Sequence, residues 1–263
     1  MKVRLGDIDL GYTVTGEGLS VVLIHGLAED RLSWARVQQA LTGYRSYAYD
    51  LRGHGETTLG EADGTLAQLG ADLARFLQTV TGPAACVGYS LGGTVALWTA
   101  AEHKALVRHV IVAGTSSVVG RKAVQFFDER IRGVQEDFCA FAGDLRSDTA
   151  AQLVAATGEA DTVTARRLAA IGNGTGYINA ARAMKRLANE PLDPMLRRVT
   201  CRVDVIGGEK DVFCPRKAAE ILMSSLADAE YHEIEGAGHL MSIDSPATYA
   251  GLIKHSLDRR LQA

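Results

Sequence analysis

The stretch Gly88-Tyr89-Ser90-Leu91-Gly92 constrains this chain more than any other. An apolar run over residues 84–87 enters it and a helical pattern over 91–102 leaves it, so Ser90 sits on a corner between strand and helix. A turn that tight leaves no room for side chains two positions either side, which accounts for glycine at 88 and 92 and pushes the serine hydroxyl clear of the sheet. Gly93 adds clearance between helix and strand. Ser90 is therefore a candidate nucleophile. Five residues can match by chance, so the surrounding chain has to carry the reading.

Residues 3–5 and 9–15 alternate around Gly6-Asp7 and read as a hairpin at a sheet edge. Residues 20–24 hold a continuously apolar run, as expected of a strand covered on both faces and hence parallel. It ends in His25-Gly26-Leu27, with a helix expected around 33–41 and a further strand at 45–49. Residues 50–57 form a glycine-punctuated loop, and 65–80 keep helical spacing behind a Thr65 cap. Buried strands follow at 107–113 and 202–207, and a last strand at 230–234. Strands alternating with helices imply a doubly wound sheet whose ligands sit beyond the carboxyl ends of the strands.

Between the strands at 107–113 and 202–207 lies a stretch, residues 116–191, with no strand signal. It carries helical patterns at 122–141, 149–156, 162–171 and 177–188, broken by Gly143, Gly158 and Gly172-Asn173-Gly174. An insertion of that size reads as a helical lid after the sixth strand, giving a core of 1–115 plus 192–263 and a lid of 116–191.

A net charge of −3 offers no electrostatic footprint for nucleic acid or an anionic membrane. With no signal-peptide core and no long apolar run, the expectation is a cytoplasmic protein. The cysteines, Cys86, Cys139, Cys201 and Cys214, lack metal-ligand spacing and read as thiols without a disulfide framework. Nothing in the sequence speaks to oligomeric state.

After the lid, the strand at 202–206 ends in Gly207-Gly208-Glu209-Lys210-Asp211, and the last strand ends in Glu235-Gly236-Ala237-Gly238-His239. Serine, acid and histidine in that chain order, each after its own strand, is the order of hydrolases built on this sheet. With His25-Gly26, the 50–57 loop and the pentapeptide at 88–92, the chain resembles the α/β-hydrolase fold family, in its capped, cofactor-independent esterase and lactonase branch. The resemblance spans nearly the whole length. It implies a mostly parallel central sheet flanked by helices, and it departs from the family loop only in Thr57, where serine is common and the hydroxyl is kept.

A serine hydroxyl needs a base within hydrogen-bond reach, and His239, in a loop of small residues, is the candidate. Asp211 is placed to fix the tautomer of that imidazole; Asp204 and Glu209 are weaker alternatives. The backbone N–H groups of Leu27 and Leu91 are the expected oxyanion donors. His25 reads as a brace of the oxyanion loop, and His54 as part of a turn. His103, His109, His232 and His255 read as packed or solvated. Candidate pocket residues are His25, Gly26, Trp34, Tyr89, Phe126, Phe127, Phe138, Phe141, Tyr177 and Met184, while Arg182, Lys185 and Arg186 form a basic cluster on one lid helix.

The function these residues imply is a serine hydrolase cleaving a carboxylic ester, lactone or thioester of a small, largely apolar substrate through an acyl-Ser90 intermediate, with no metal or organic cofactor. A carbon-carbon bond hydrolase, a cofactor-free perhydrolase or an acyltransferase could use the same residues, and a non-catalytic small-molecule binder is the remaining alternative. Serine at position 90 sets the chain apart from the haloalkane dehalogenases and epoxide hydrolases of this fold, which use aspartate there.

Overall fold

A computed structural model describes residues 1–260. Its strands are β1 (Lys2–Leu5), β2 (Ile8–Thr15), β3 (Leu19–Ile24), β4 (Tyr44–Tyr49), β5 (Ala84–Tyr89), β6 (Val107–Ala113), β7 (Val203–Gly208) and β8 (Ala229–Ile234). They form one sheet in the order β1-β2-β4-β3-β5-β6-β7-β8. The β1·β2 and β2·β4 pairs are antiparallel, and the other pairs are parallel. The expected edge hairpin and buried parallel strands are thus both present.

The continuous apolar run of β3 works on both faces. Val22 and Ile24 point into one core, Val21 and Leu23 into the other, and all four are fully buried. Helix α1 (Ala35–Ala40), after a 3-10 turn at Arg31–Trp34, covers one face. Helices α2 (Leu66–Phe76) and α3 (Leu91–Glu102) cover the other. Thr65 caps α2 as expected, its hydroxyl accepting from Gln68 N–H at 3.1 Å.

Between β6 and β7 run α4 (Arg121–Glu136), α5 (Phe138–Gln152), α6 (Ala160–Ile171) and α7 (Thr175–Arg186). The chain continues through α8 (Asp193–Leu196), α9 (Arg216–Ser224), α10 (Met241–Asp244) and α11 (Pro246–Arg260). No helix among the described residues is long and apolar enough to cross a membrane.

Three features of the helices between β6 and β7 differ from the sequence reading. The pattern at 122–141 is two helices, because Asp137 leaves helical geometry (φ −151°) and its carboxylate caps α5 by accepting from Ala140 N–H at 2.9 Å. Gly143, expected as a break, lies inside α5. The pattern at 149–156 ends at Gln152, since the distant Asp244 carboxylate takes the N–H groups of Val154, Ala155 and Ala156 at 3.1, 2.9 and 2.9 Å. A tertiary acceptor there replaces the next helical turn.

Candidate active site

Parallel strands deliver their carboxyl ends to one rim, and the turns after β3, β5, β7 and β8 carry Leu27, Ser90, Asp211 and His239. Among the described residues Ser90 alone is a non-glycine with positive φ (52°). That strain persists because the turn is over-determined: Ser90 N–H donates to Ala113 O at 2.8 Å, and its carbonyl accepts from Gly93 N–H at 3.0 Å. A Cβ at position 88 would lie 2.3 Å from the Gly92 carbonyl oxygen, and one at 92 would lie 2.1 Å from that of Ile24. The two glycines of the motif are therefore steric requirements of the corner.

Three side chains from separate turns meet on that rim. His239 Nε2 stands 3.3 Å from Ser90 Oγ, and His239 Nδ1 stands 2.8 Å from Asp211 Oδ2. The other carboxylate oxygen accepts from Phe213 and Cys214 N–H, each at 2.8 Å. Burial pushes the Asp211 carboxyl up, but the His239 ring and these backbone donors outweigh it and hold the group below the ordinary carboxylate range. An ionised Asp211 places the imidazole proton on Nδ1 and turns the lone pair of Nε2 towards the serine. The two alternative acids are occupied elsewhere: buried Asp204 binds His109, His232 and Arg202, and exposed Glu209 binds Lys210 and Gly236 N–H.

Leu91 opens α3, so its N–H belongs to the first turn, where no intrahelical acceptor exists. Leu27 and Leu91 both line the cavity that holds Ser90. Two buried histidines secure the Leu27 turn. His25 Nε2 accepts from Leu51 N–H at 2.9 Å, which leaves Nδ1 to donate to Gly26 O at 2.8 Å, and burial keeps this ring neutral by pushing its pKa well down. His54 Nε2 lies 2.9 Å from Leu27 O, so this ring braces the candidate oxyanion turn itself, a role beyond simple turn formation. Thr57 holds the same loop, donating to Asp50 O and accepting from Gly11 N–H, as expected of a serine equivalent.

A cavity of about 550 Å³ opens on Ser90 and His239 between the rim and the inserted helices. Of the anticipated pocket residues, Tyr89, Phe126, Phe127, Tyr177 and Met184 line it. Four others do not. Trp34 stacks on Tyr249 on the far face of the sheet, and Phe138 packs against Phe141 with its edge exposed. His25 is spent on the loop, and Gly26 abuts the Tyr89 ring. Phe141, suggested with them, is buried against Tyr177. The basic cluster does not line the cavity either: Lys185 pairs with Asp128, and Arg186 donates to Gly64 O.

Several lining residues escaped the sequence reading. Phe213 and Val212 flank the mouth directly after Asp211, and Phe213 lies 5.6 Å from the His239 ring. Their apolar character immediately after an expected active-site acid was the available signal. Arg167, Gln152 and Asp148 bring polar groups into the cavity from the inserted helices, and no local pattern distinguishes them from a solvated helix face. At the other end of the strands, Asp204, Glu230 and His232 have ligand atoms within 4.8 Å of one another, but Arg202 and Arg259 already neutralise their carboxylates.

Residues 20–246 match the family model for the alpha/beta hydrolase fold. The chain belongs to this family and is an α/β-hydrolase. It is 28% identical over 247 residues to the pimeloyl-[acyl-carrier protein] methyl ester esterase of Chromobacterium violaceum, covering 88% of this chain and 91% of that protein. It is 25% identical over 269 residues to the pyrrolizixenacetamide deacetylase of Xenorhabdus hominickii, covering 97% of each. Among solved structures, the enol-lactonase from Burkholderia xenovorans LB400 superposes with a TM-score of 0.88 at 22% identity, covering 98% of this chain and 100% of that one.

Proposed function

We propose that the protein is a serine hydrolase that cleaves a carboxylic ester, lactone or thioester of a small, largely apolar substrate through an acyl-Ser90 intermediate. The observation that carries this reading is the His239 imidazole between Ser90 Oγ at 3.3 Å and Asp211 Oδ2 at 2.8 Å. Nε2 takes the hydroxyl proton as Oγ attacks the carbonyl carbon, and the imidazolium that forms keeps its Nδ1–H on the Asp211 carboxylate. The oxygen that gains charge is received by the N–H groups of Leu27 and Leu91. Nε2–H then protonates the leaving oxygen or sulfur, and a water, deprotonated by the same nitrogen, releases the acid.

Residues 116–191 act as the lid, with Phe126, Phe127, Tyr177 and Met184 supplying an apolar ceiling. Esterase and lactonase activities among the named relatives support the same class. A fluorophosphonate probe tests the mechanism: the wild type is labelled and Ser90→Ala is not. A panel of p-nitrophenyl esters, lactones and acyl thioesters, ranked by kcat/KM, then identifies the bond. An unlabelled wild type, or fast cleavage of a dienoate carbon-carbon bond with poor ester turnover, overturns the proposal.

A further inference from the structure

Arg167 belongs to the helices over the cavity. It sits on α6, is only 6% exposed, and lines the cavity that holds Ser90 and His239. Its hydrogen bond to protein, among the described residues, runs from Nη1 to Thr149 Oγ1 at 3.0 Å. Nε is buried without a partner, and no carboxylate lies within 4 Å of the guanidinium among the described residues. Gln152, at the end of α5, lines the same cavity with its Oε1 also buried and unpartnered.

A buried cation without a counter-ion is strongly destabilising, so an arginine kept this way is expected to meet its anion in a bound state. No other charge among the described residues stands within ion-pair distance of it. Asp148 is taken by Arg130 through two bonds of 2.7 and 2.8 Å. Glu29, outside the cavity lining, feels the Arg167 charge but forms no ion pair with it; its carboxylate accepts from Gly26 N–H at 3.4 Å, and burial pushes its carboxyl up, towards the neutral form. At the mouth, Lys122 and Lys217 are exposed and make no ion pair among the described residues, which adds positive charge along the entry.

We propose that Arg167 recognises a carboxylate on the substrate, so that the protein's substrates are half-esters or lactones that keep one free acid group. A guanidinium lining the cavity offers forked N–H donors that match the two oxygens of a carboxylate, and Nη1 is steadied by its bond to Thr149. Gln152 lines the same cavity, and the N–H2 of its side-chain amide is a donor that a carboxylate can use. This inference rests on the Ser90 hydrolase reading, which it narrows to an anionic substrate class.

The test compares mono-4-nitrophenyl adipate with 4-nitrophenyl hexanoate, which share chain length and leaving group and differ in the distal acid. Wild type is expected to favour the adipate half-ester by about 10-fold or more in kcat/KM, and Arg167→Gln to bring that ratio to about one. Arg167→Lys, which keeps the charge and loses the fork, falls between them. A separate readout uses Ser90→Ala protein titrated with adipate: adding Arg167→Gln weakens binding about 10-fold or more, with circular dichroism verifying that the variant is folded. Equal turnover of both esters by the wild type, or a preference or adipate affinity that survives in Arg167→Gln, overturns the inference while leaving the hydrolase reading in place. If neither ester turns over and the fluorophosphonate fails, the hydrolase reading falls, and the adipate titration still decides the role of Arg167.

Discussion

The sheet rim and the inserted helices meet at one cavity but are built in opposite ways. On the rim, each residue of the candidate triad follows a strand through a turn, and the turn is locked by backbone hydrogen bonds or by glycines at positions where a Cβ would collide with backbone. In the segment from α4 to α7, residues reach the cavity from helix faces held by side-chain packing and by ion pairs such as Arg130–Asp148. A rim built from backbone tolerates little displacement, which suits bond-making chemistry at 3 Å; helix faces can be redecorated without moving the rim, which suits recognition. The contrast teaches that substitutions on the two sides will register in different kinetic constants.

The sharpest break would come at the corner itself. Ser90→Ala is expected to lower kcat on the order of 10⁶-fold with the fold intact, measured in pre-screened ester assays beside a thermal melt. Next is Asp211→Asn, expected to cost on the order of 10⁴-fold in kcat by leaving the imidazole in the wrong tautomer. The same variant reports on stability. Because the folded Asp211 carboxyl lies below its ordinary value, the unfolded chain takes up the proton first as pH falls. The stabilisation is therefore full near neutrality and fades as pH drops through the ordinary carboxylate range towards the folded value. Melting temperatures followed into acid should show a pH-dependent loss in the wild type that is smaller in Asp211→Asn.

A smaller effect is expected one layer out. His54→Ala removes the brace on Leu27 O without touching any reacting atom, and should reduce kcat by about 10- to 100-fold, less than deleting an oxyanion donor outright, with KM little changed. The smallest belongs to the helices: Phe126→Ala should raise KM by about 3- to 10-fold for apolar acyl chains while kcat stays near the wild-type value. A large kcat loss from Phe126→Ala, or a pure KM effect from His54→Ala, would dissolve the distinction between the two regions.

How far each region could be read in advance follows from how it is made. Strand-borne positions carry two local signatures, period-two or continuous apolar runs and glycine at turns, and both survive in the linear order; Ser90, Asp211 and His239 were each marked by them. Helical spacing says that a face is buried without saying against what, so it does not separate Phe138 from the residues that reach the cavity; Trp34 lies near the Leu27 turn in sequence but packs on Tyr249 instead. Asp137 and Asp244 make the same point for boundaries. The first is a local cap that the sequence displays; the second is a carboxylate some ninety positions away that ends α5 from outside.

By itself, then, the amino-acid order determined the alternation of buried strands and helices, the strained serine corner and the chain order of the three polar side chains that converge there, because each depends on backbone sterics and near neighbours. Only the tertiary structure decided that His54 braces Leu27, that Phe213 rather than Trp34 stands beside His239, and that Arg167 lies buried over the cavity with no ion-pair partner among the described residues. Those facts depend on which helix face meets which loop, and helix-face packing is a property of the assembled whole, where volume and charge are balanced across residues far apart in the chain.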